Sequence, residues 1–334
     1  MSFNLFKGQG PIAAAAGTTA GTTAGTTAGA TAGDPLRDPS GYFASQDLAN
    51  AVNVALALRM PLLVTGEPGT GKTQLAYRMA AELGLGAVLR FDTKSSSQAA
   101  ELFYQFDSIR QFAQSQLNAA ARQPLPQARE FLRLQALGLA IVRTLPPDDV
   151  AQRLGAERSH AQALRSLVLI DEIDKAPRDF PNDLLNQIED LEFSVSELGQ
   201  RFQAEPELKP VVVITSNSEK QLPEAFLRRC VYHHIEFPKD ARDLEQILGA
   251  RLSRLQLSGL AYQQALAQFF RIRGDAAFDK KPSTSELLDW LRALNAAGLV
   301  PQAPLAQQRA VLDSALGSLL KTREDLERAR GMLG

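Results

Sequence analysis

The chain has 334 residues, enough for about two domains at roughly 150 residues each. Hydrophobic residues make up 45% and charged residues 22%, and 36 basic against 37 acidic side chains leave a formal charge of -1. That balance argues against a nucleic-acid-coating protein and removes bulk charge as a route to a membrane surface. The single cysteine, Cys230, excludes an intrachain disulfide and a Cys-rich zinc site. Three histidines (His160, His233, His234) are too few and too scattered for a metal cage. The longest apolar runs, such as Val211-Val212-Val213-Ile214, are far too short to span a bilayer, so no membrane association and a cytoplasmic location are expected.

Residues 1–40 read as a disordered tail. From Gly17 to Gly29 the sequence is GTTAGTTAGTTAG, a pattern that offers no face to bury and is dense in glycine. Ala13 to Ala16 is mildly apolar but lacks the basic n-region and true apolar h-region of a secretory signal. Ser45 can cap a helix running to about Leu58, with Leu48, Val52, Ala55 and Leu56 on one stripe and Pro61 as the breaker. A short strand, Leu62–Thr65, leads into a glycine-rich turn and a helix over 72–83; a second strand follows at 87–91. Residues 98–165 are rich in Ala, Gln and Leu and predict a helical insert. Further strands are expected at 167–170, 211–215 and 231–237, with helices over 182–191 and 223–228 between them. Strands that are apolar throughout and alternate with helices indicate a parallel sheet covered on both faces. Beyond Pro238 only helices are expected, near 240–257, 262–272, 284–297 and 305–332. The domain plan is therefore an α/β domain over 41–238 and an all-α lid over 239–334.

Gly66-Glu67-Pro68-Gly69-Thr70-Gly71-Lys72-Thr73 matches G-x-x-x-x-G-K-[ST] in full, between a predicted strand and a predicted helix. Glycines let successive backbone N–H groups face one anion, and the helix N-terminus adds partial positive charge. Lys72 brings a full charge to the β- and γ-phosphates, and the Thr73 hydroxyl can ligate Mg²⁺. The strand Leu167–Ile170 ends in Asp171-Glu172, two acids at the carboxyl edge of the sheet where ligands bind in open α/β folds. Asp171 suits the Mg²⁺ shell, and Glu172 suits a general base acting on water. Asn217, just past a neighbouring strand, is either a turn residue or an amide that orients the water. Arg228 and Arg229 either balance a short helix's C-terminus or reach a phosphoryl group on a neighbouring subunit. ATP and Mg²⁺ are the expected substrate and cofactor, and the expected activity is Mg-dependent hydrolysis to ADP and phosphate.

This order of motifs resembles the AAA+ ATPases, and within them the MoxR branch. Ala51 to Leu56 followed by Pro61 to Thr73 is similar to that branch's opening segment. Asp171-Glu172-Ile173-Asp174-Lys175-Ala176-Pro177 through Leu222–Arg229 carries the rest, so the resemblance spans about 41–297. It implies a P-loop AAA+ core with a five-stranded parallel sheet, a helical insert between the second and third strands, and an all-α lid. It also implies a homo-oligomeric ring, usually a hexamer, with Asn217 as sensor 1 and Arg229 as arginine finger, Arg228 being second choice. Members of the branch act as chaperone-like remodellers, often beside a protein with a von Willebrand A domain. The lid position where the family usually carries its sensor 2 arginine is Ser285 here; Lys280, Lys281 or Arg292 could substitute. Phe103-Tyr104-Gln105-Phe106-Asp107 is either a pore aromatic loop or aromatics packing the insert onto the sheet. Residues 192–210 fit either the branch's extra hairpin or a surface loop.

Three functional classes use these motifs: an ATP-driven remodeller of a protein partner, a nucleotide-gated scaffold in a defence or stress system, and a nucleic-acid motor or loader. The last would want a basic, aromatic-rich channel, for which only Arg271, Arg273, Lys280 and Lys281 are candidates. The near-zero charge favours a protein client.

Overall fold

Apolar runs between turn residues become the strands of the central sheet in the computed structural model, which describes residues 5–10, 12, 38–218, 222–238, 241–252 and 259–332. The first unit of the chain comprises Ala44–Thr65 and Leu75–His234 with the N-terminal residues 5–10; the second comprises residues 38–43, Gly66–Gln74 and the chain from Ile235 on.

Helix α1 (Gln46–Leu58) starts at Ser45, whose side chain accepts from the Leu48 N–H at 3.2 Å, and ends at Arg59 in the left-handed region. Strand β1 (Leu62–Gly66) leads into α2 (Lys72–Glu82), and β2 covers Leu89–Asp92. The insert, expected to be mostly helical, also carries two short strands. Strands β3 (Tyr104–Phe106) and β4 (Leu132–Leu134) pair antiparallel around α3 (Ser108–Ala120), and α4 (Ala136–Val142) and α5 (Pro147–Leu154) follow. The short strands form because Phe103, Phe131 and Leu132 are buried there, which composition alone did not reveal. Phe103 stacks on Phe193 with centroids 5.1 Å apart, so it packs rather than projects.

Strand β5 (Leu167–Asp171) is followed by α6 (Phe180–Asp190), then by an antiparallel hairpin of β6 (Glu192–Val195) and β7 (Gln200–Gln203). Phe193 and Phe202 face each other across it, 5.2 Å between centroids. Strand β8 (Val211–Ser216), α7 (Glu224–Leu227) and β9 (Val231–Ile235) complete the sheet, whose order is β2-β5-β8-β1-β9. The pairs β1–β8, β5–β8 and β2–β5 are parallel. Registers Val64↔Thr215, Ile170↔Ile214 and Asp92↔Asp171 bring the ends of four strands to one edge. β1, β5 and β8 are buried along their whole length, the pattern of a parallel sheet covered on both faces.

The second unit carries α8 (Ala241–Arg251), α9 (Leu260–Gly274), α10 (Thr284–Ala296), α11 (Arg309–Leu319) and α12 (Arg323–Met332). Its core gathers Leu244, Phe269, Leu287, Trp290, Leu291 and Leu316. Helix α10 opens on a capping box, Ser283 accepting from the Glu286 N–H while the Glu286 carboxylate accepts from Ser283 N–H. The helix expected over 305–332 is broken: Leu320 is extended, and the Thr322 hydroxyl accepts from Asp325 N–H at 3.2 Å to start α12. No helix among the described residues is long and apolar enough to cross a membrane.

The expected disordered tail needs one correction. Residues 5–10 lie against α1 and α2 with Phe6 only 1% exposed, because polar side chains of both helices bind their backbone. The Gly/Thr/Ala repeat at 17–29 lies outside the described residues.

Cys230 closes the α7 turn in the first unit's core, and burial pushes its thiol up to about 12. The thiolate is the nucleophile, so Cys230 in the native chain should resist iodoacetamide at pH 8 and react once urea unfolds it. Rapid alkylation of the native chain would contradict this burial.

Candidate functional site

The loop that leaves β1 is built by glycine. Gly66, Gly69 and Gly71 have φ of 149, 77 and 93°, values L side chains rarely adopt. A Cβ on Gly69 would also lie 2.2 Å from the Ser285 hydroxyl. The Lys72 ammonium is drawn into this curl and donates to the carbonyls of Gly66 and Glu67, both at 2.8 Å. Thr70 donates to the Glu67 carbonyl at 2.8 Å, tightening the same turn. Thr73 follows Lys72 in the first turn of α2. A backbone curl with a buried ammonium at its centre fits an anion such as a phosphate chain.

The lid holds this loop by an unexpected residue. The Arg273 guanidinium pairs with the Glu67 carboxylate, donates to the Pro282 carbonyl at 2.8 Å, and lies 3.4 Å from the centroid of the Phe237 ring. Ser285 donates to the Gly69 carbonyl at 3.4 Å. Lys280, considered a sensor 2 substitute, is paired with Glu286 at 3.7 Å. Among the described residues, Arg273 at the C-terminal end of α9 is a lid cation that meets the loop. The only sequence signal for it was its place in a short basic cluster.

In the first unit, the end of β5 carries the paired acids. Asp171 is 4% exposed. Its Oδ1 accepts from the Thr215 hydroxyl at 2.6 Å and its Oδ2 pairs with Arg90 at 2.9 Å. Burial pulls against the charge of Arg90, yet Asp171 and Asp92 hold its guanidinium above the usual arginine value. Glu172 sits in the left-handed region at φ 57°, and its N–H donates to Thr215 Oγ1 at 2.8 Å. Its carboxylate pairs with Lys175. The hydrogen bond and the charge of Glu172 hold the Lys175 ammonium above its ordinary range. Asn217 is oriented by Asp174, which accepts from its N–H at 3.0 Å and its Nδ2 at 3.4 Å.

Thr215 thus ties Asp171 to Glu172, and Asp174 holds Asn217. Arg228 and Arg229 are not part of these contacts. Arg228 pairs with Glu224, and Arg229 lies 3.6 Å from Glu189, with the two arginine side chains 74% and 50% exposed. Thr215, Asp174 and Arg90 went unassigned in the sequence; a polar residue near the end of an otherwise apolar strand was the signal for Thr215. Replacing Thr215 by Val keeps its shape and removes the two hydrogen bonds its hydroxyl makes with Asp171 Oδ1 and the Glu172 N–H. Urea unfolding should show a loss of about 1–3 kcal/mol. A change below about 0.5 kcal/mol would mean that the hydroxyl does not hold the two acids.

Residues 61–230 match the model of the family described as AAA domain (dynein-related subfamily). Among solved structures the chain is similar to a RuvB variant from Thermotoga maritima, with a TM-score of 0.43 and 15% identity, over 82% of this chain and 66% of that one. This chain thus spans just under two thirds of the RuvB chain's length. No curated protein matches. A strand running into a phosphate-type glycine loop, a second strand ending in paired acids, and a family match over half of the sequence agree: the chain belongs to the dynein-related subfamily of AAA domains.

Proposed function

We propose that this chain binds Mg·ATP through Gly66, Glu67, Pro68, Gly69, Thr70, Gly71, Lys72 and Thr73 and hydrolyses it to ADP and phosphate. The observation that carries the reading is the seating of Asp171 and Glu172 on one hydroxyl, that of Thr215, at the end of β5. In the same chain β1 runs into a glycine loop that buries a lysine. Mg²⁺, held by Thr73 and Asp171, would supply charge to the phosphates.

Each protein group has a distinct task. Lys72, which now donates to two loop carbonyls, would redirect its ammonium to phosphate oxygens, where charge-assisted hydrogen bonds are stronger. Glu172 takes the proton from a water whose oxygen bonds to the γ-phosphorus as the bond to the ADP oxygen breaks. Its left-handed backbone, fixed by the N–H to Thr215, sets where the carboxylate stands. Asn217, braced by Asp174, orients that water. Lys175 is the resting partner of the base.

We infer further that copies assemble into a ring, hexameric by resemblance, in which Arg229, or Arg228 beside it, serves the nucleotide of the neighbouring copy. Their exposure in the single chain supports this. The MoxR resemblance and the net charge of -1 favour a cytoplasmic, chaperone-like remodeller of a protein partner, such as one with a von Willebrand A domain.

Glu172→Gln should retain ATP binding and lower turnover by roughly 10²–10⁴-fold. Unchanged turnover would remove Glu172 as the base. Arg229→Ala should lose activity alone and recover part of it when mixed with Glu172→Gln chains, since each variant damages a different half of a shared site. Absence of rescue would contradict a finger acting across subunits. Strong stimulation of ATPase by DNA, falling steeply with salt, would favour a nucleic-acid motor over a protein remodeller.

A further inference from the structure

Helices α1 and α2 each carry a polar side chain at a buried position. Asn53 sits among Leu48, Ala49, Val52 and Leu56 on the buried face of α1 and is 3% exposed. Arg78 is fully buried on α2, with its Nε on Glu82 at 2.8 Å. Such groups are costly to bury unless their hydrogen bonds are met. Here they are met by the backbone of Leu5–Gly10.

Asn53 Oδ1 accepts from the N–H of Leu5 at 3.0 Å and of Phe6 at 2.9 Å, and its Nδ2 donates to the Phe6 carbonyl at 2.8 Å. The Glu82 carboxylate accepts from the N–H of Lys7 and, at 3.2 Å, of Gly8. Arg78 donates to the carbonyls of Gln9 at 2.9 Å and Gly10 at 3.0 Å. Ala44 completes the cradle: its N–H donates to the Gly8 carbonyl at 2.9 Å, and its carbonyl accepts from the Gln9 amide at 2.8 Å.

Recognition of this kind reads the peptide backbone, with requirements at Phe6, at Gly8 and at Gly10, whose φ of 78° favours glycine. Phe6 is 1% exposed, so its ring is removed from water. Gly8 has φ of 67°, and a Cβ there would stand 2.3 Å from the Ala44 Cβ, so glycine is needed for both backbone and space. The segment's six residues make these contacts themselves, and between it and Asp38 only residue 12 is described.

We propose that the groove between α1 and α2 is a binding site for an extended peptide of the form Phe-x-Gly-x-Gly, and that Leu5–Gly10 is its resident, detachable ligand. Asn53, Arg78 and Glu82 are the residues that bind it, by capturing main-chain groups as peptide-binding domains do. Because the polar face exists for a peptide, the same sequence supplied on a separate molecule fills the groove once the resident leaves.

The test keeps the whole chain. A protease site placed between residues 12 and 17 is cleaved after purification, and a fluorescent peptide with the sequence of residues 1–12 is then added. The nicked fragment should stay with the body at micromolar concentration, leave on dilution, and be replaced saturably by the labelled peptide. Peptides carrying Phe6→Ala or Gly8→Ala should bind at least about tenfold more weakly. These peptide variants leave the body untouched, so a folding defect cannot imitate lost recognition. Three results would overturn the proposal: a labelled peptide that never binds, variant peptides that bind as well as the native one, or a fragment that stays through exhaustive dilution without exchange.

Discussion

One hydroxyl sets the geometry on which the rest depends. Thr215 Oγ1 donates to Asp171 and accepts from the Glu172 N–H, so a single atom on β8 fixes both acids at the end of β5. The parallel register makes this possible, because one step beyond Ile170↔Ile214 puts Asp171 beside Thr215. Glu172 then turns into the left-handed region, a conformation a non-glycine residue holds only when its surroundings impose it. Arg90 pins the second oxygen of Asp171 from β2. Neighbouring strands thus hold both carboxylate oxygens of Asp171, while Glu172 is held through its backbone N–H.

The second unit shows the same economy at the glycine loop. Positive φ at three glycines turns the loop's carbonyls toward Lys72, while Arg273 and Ser285 from the lid helices hold Glu67 and Gly69. Stacking on Phe237 keeps Arg273 aimed, so its direction is set by packing as well as by charge.

Much of this was legible in the sequence. β1, β5 and β8 are largely apolar, buried along their length, and run into a glycine loop, paired acids and an Asn, so short-range pattern located these strands and the residues at their ends. Less legible were the partners that bind through space. Arg90 meets Asp171 only because β2 lies next to β5, and Arg273 reaches Glu67 across 206 positions of sequence. Hydroxyl-bearing Ser285 and the nearby lysines drew attention because sensor 2 is expected on α10, whereas Arg273 comes from the end of α9. Residues 5–10 looked like part of a leader because their contacts are made by backbone, which composition does not encode. The polar Asn53 and Arg78 at buried positions of their helices were the available clue.

The central claim, that the loop from Gly66 to Thr73 is a phosphate site in which Lys72 carries the charge, is tested most directly by calorimetric titration of Mg·ATP into the wild-type chain and Lys72→Ala. One nucleotide per wild-type chain is expected. The variant should lose about 1.5–3 kcal/mol of binding, roughly 10- to 150-fold. Equal affinity of the two chains, or no binding to either, would contradict the account.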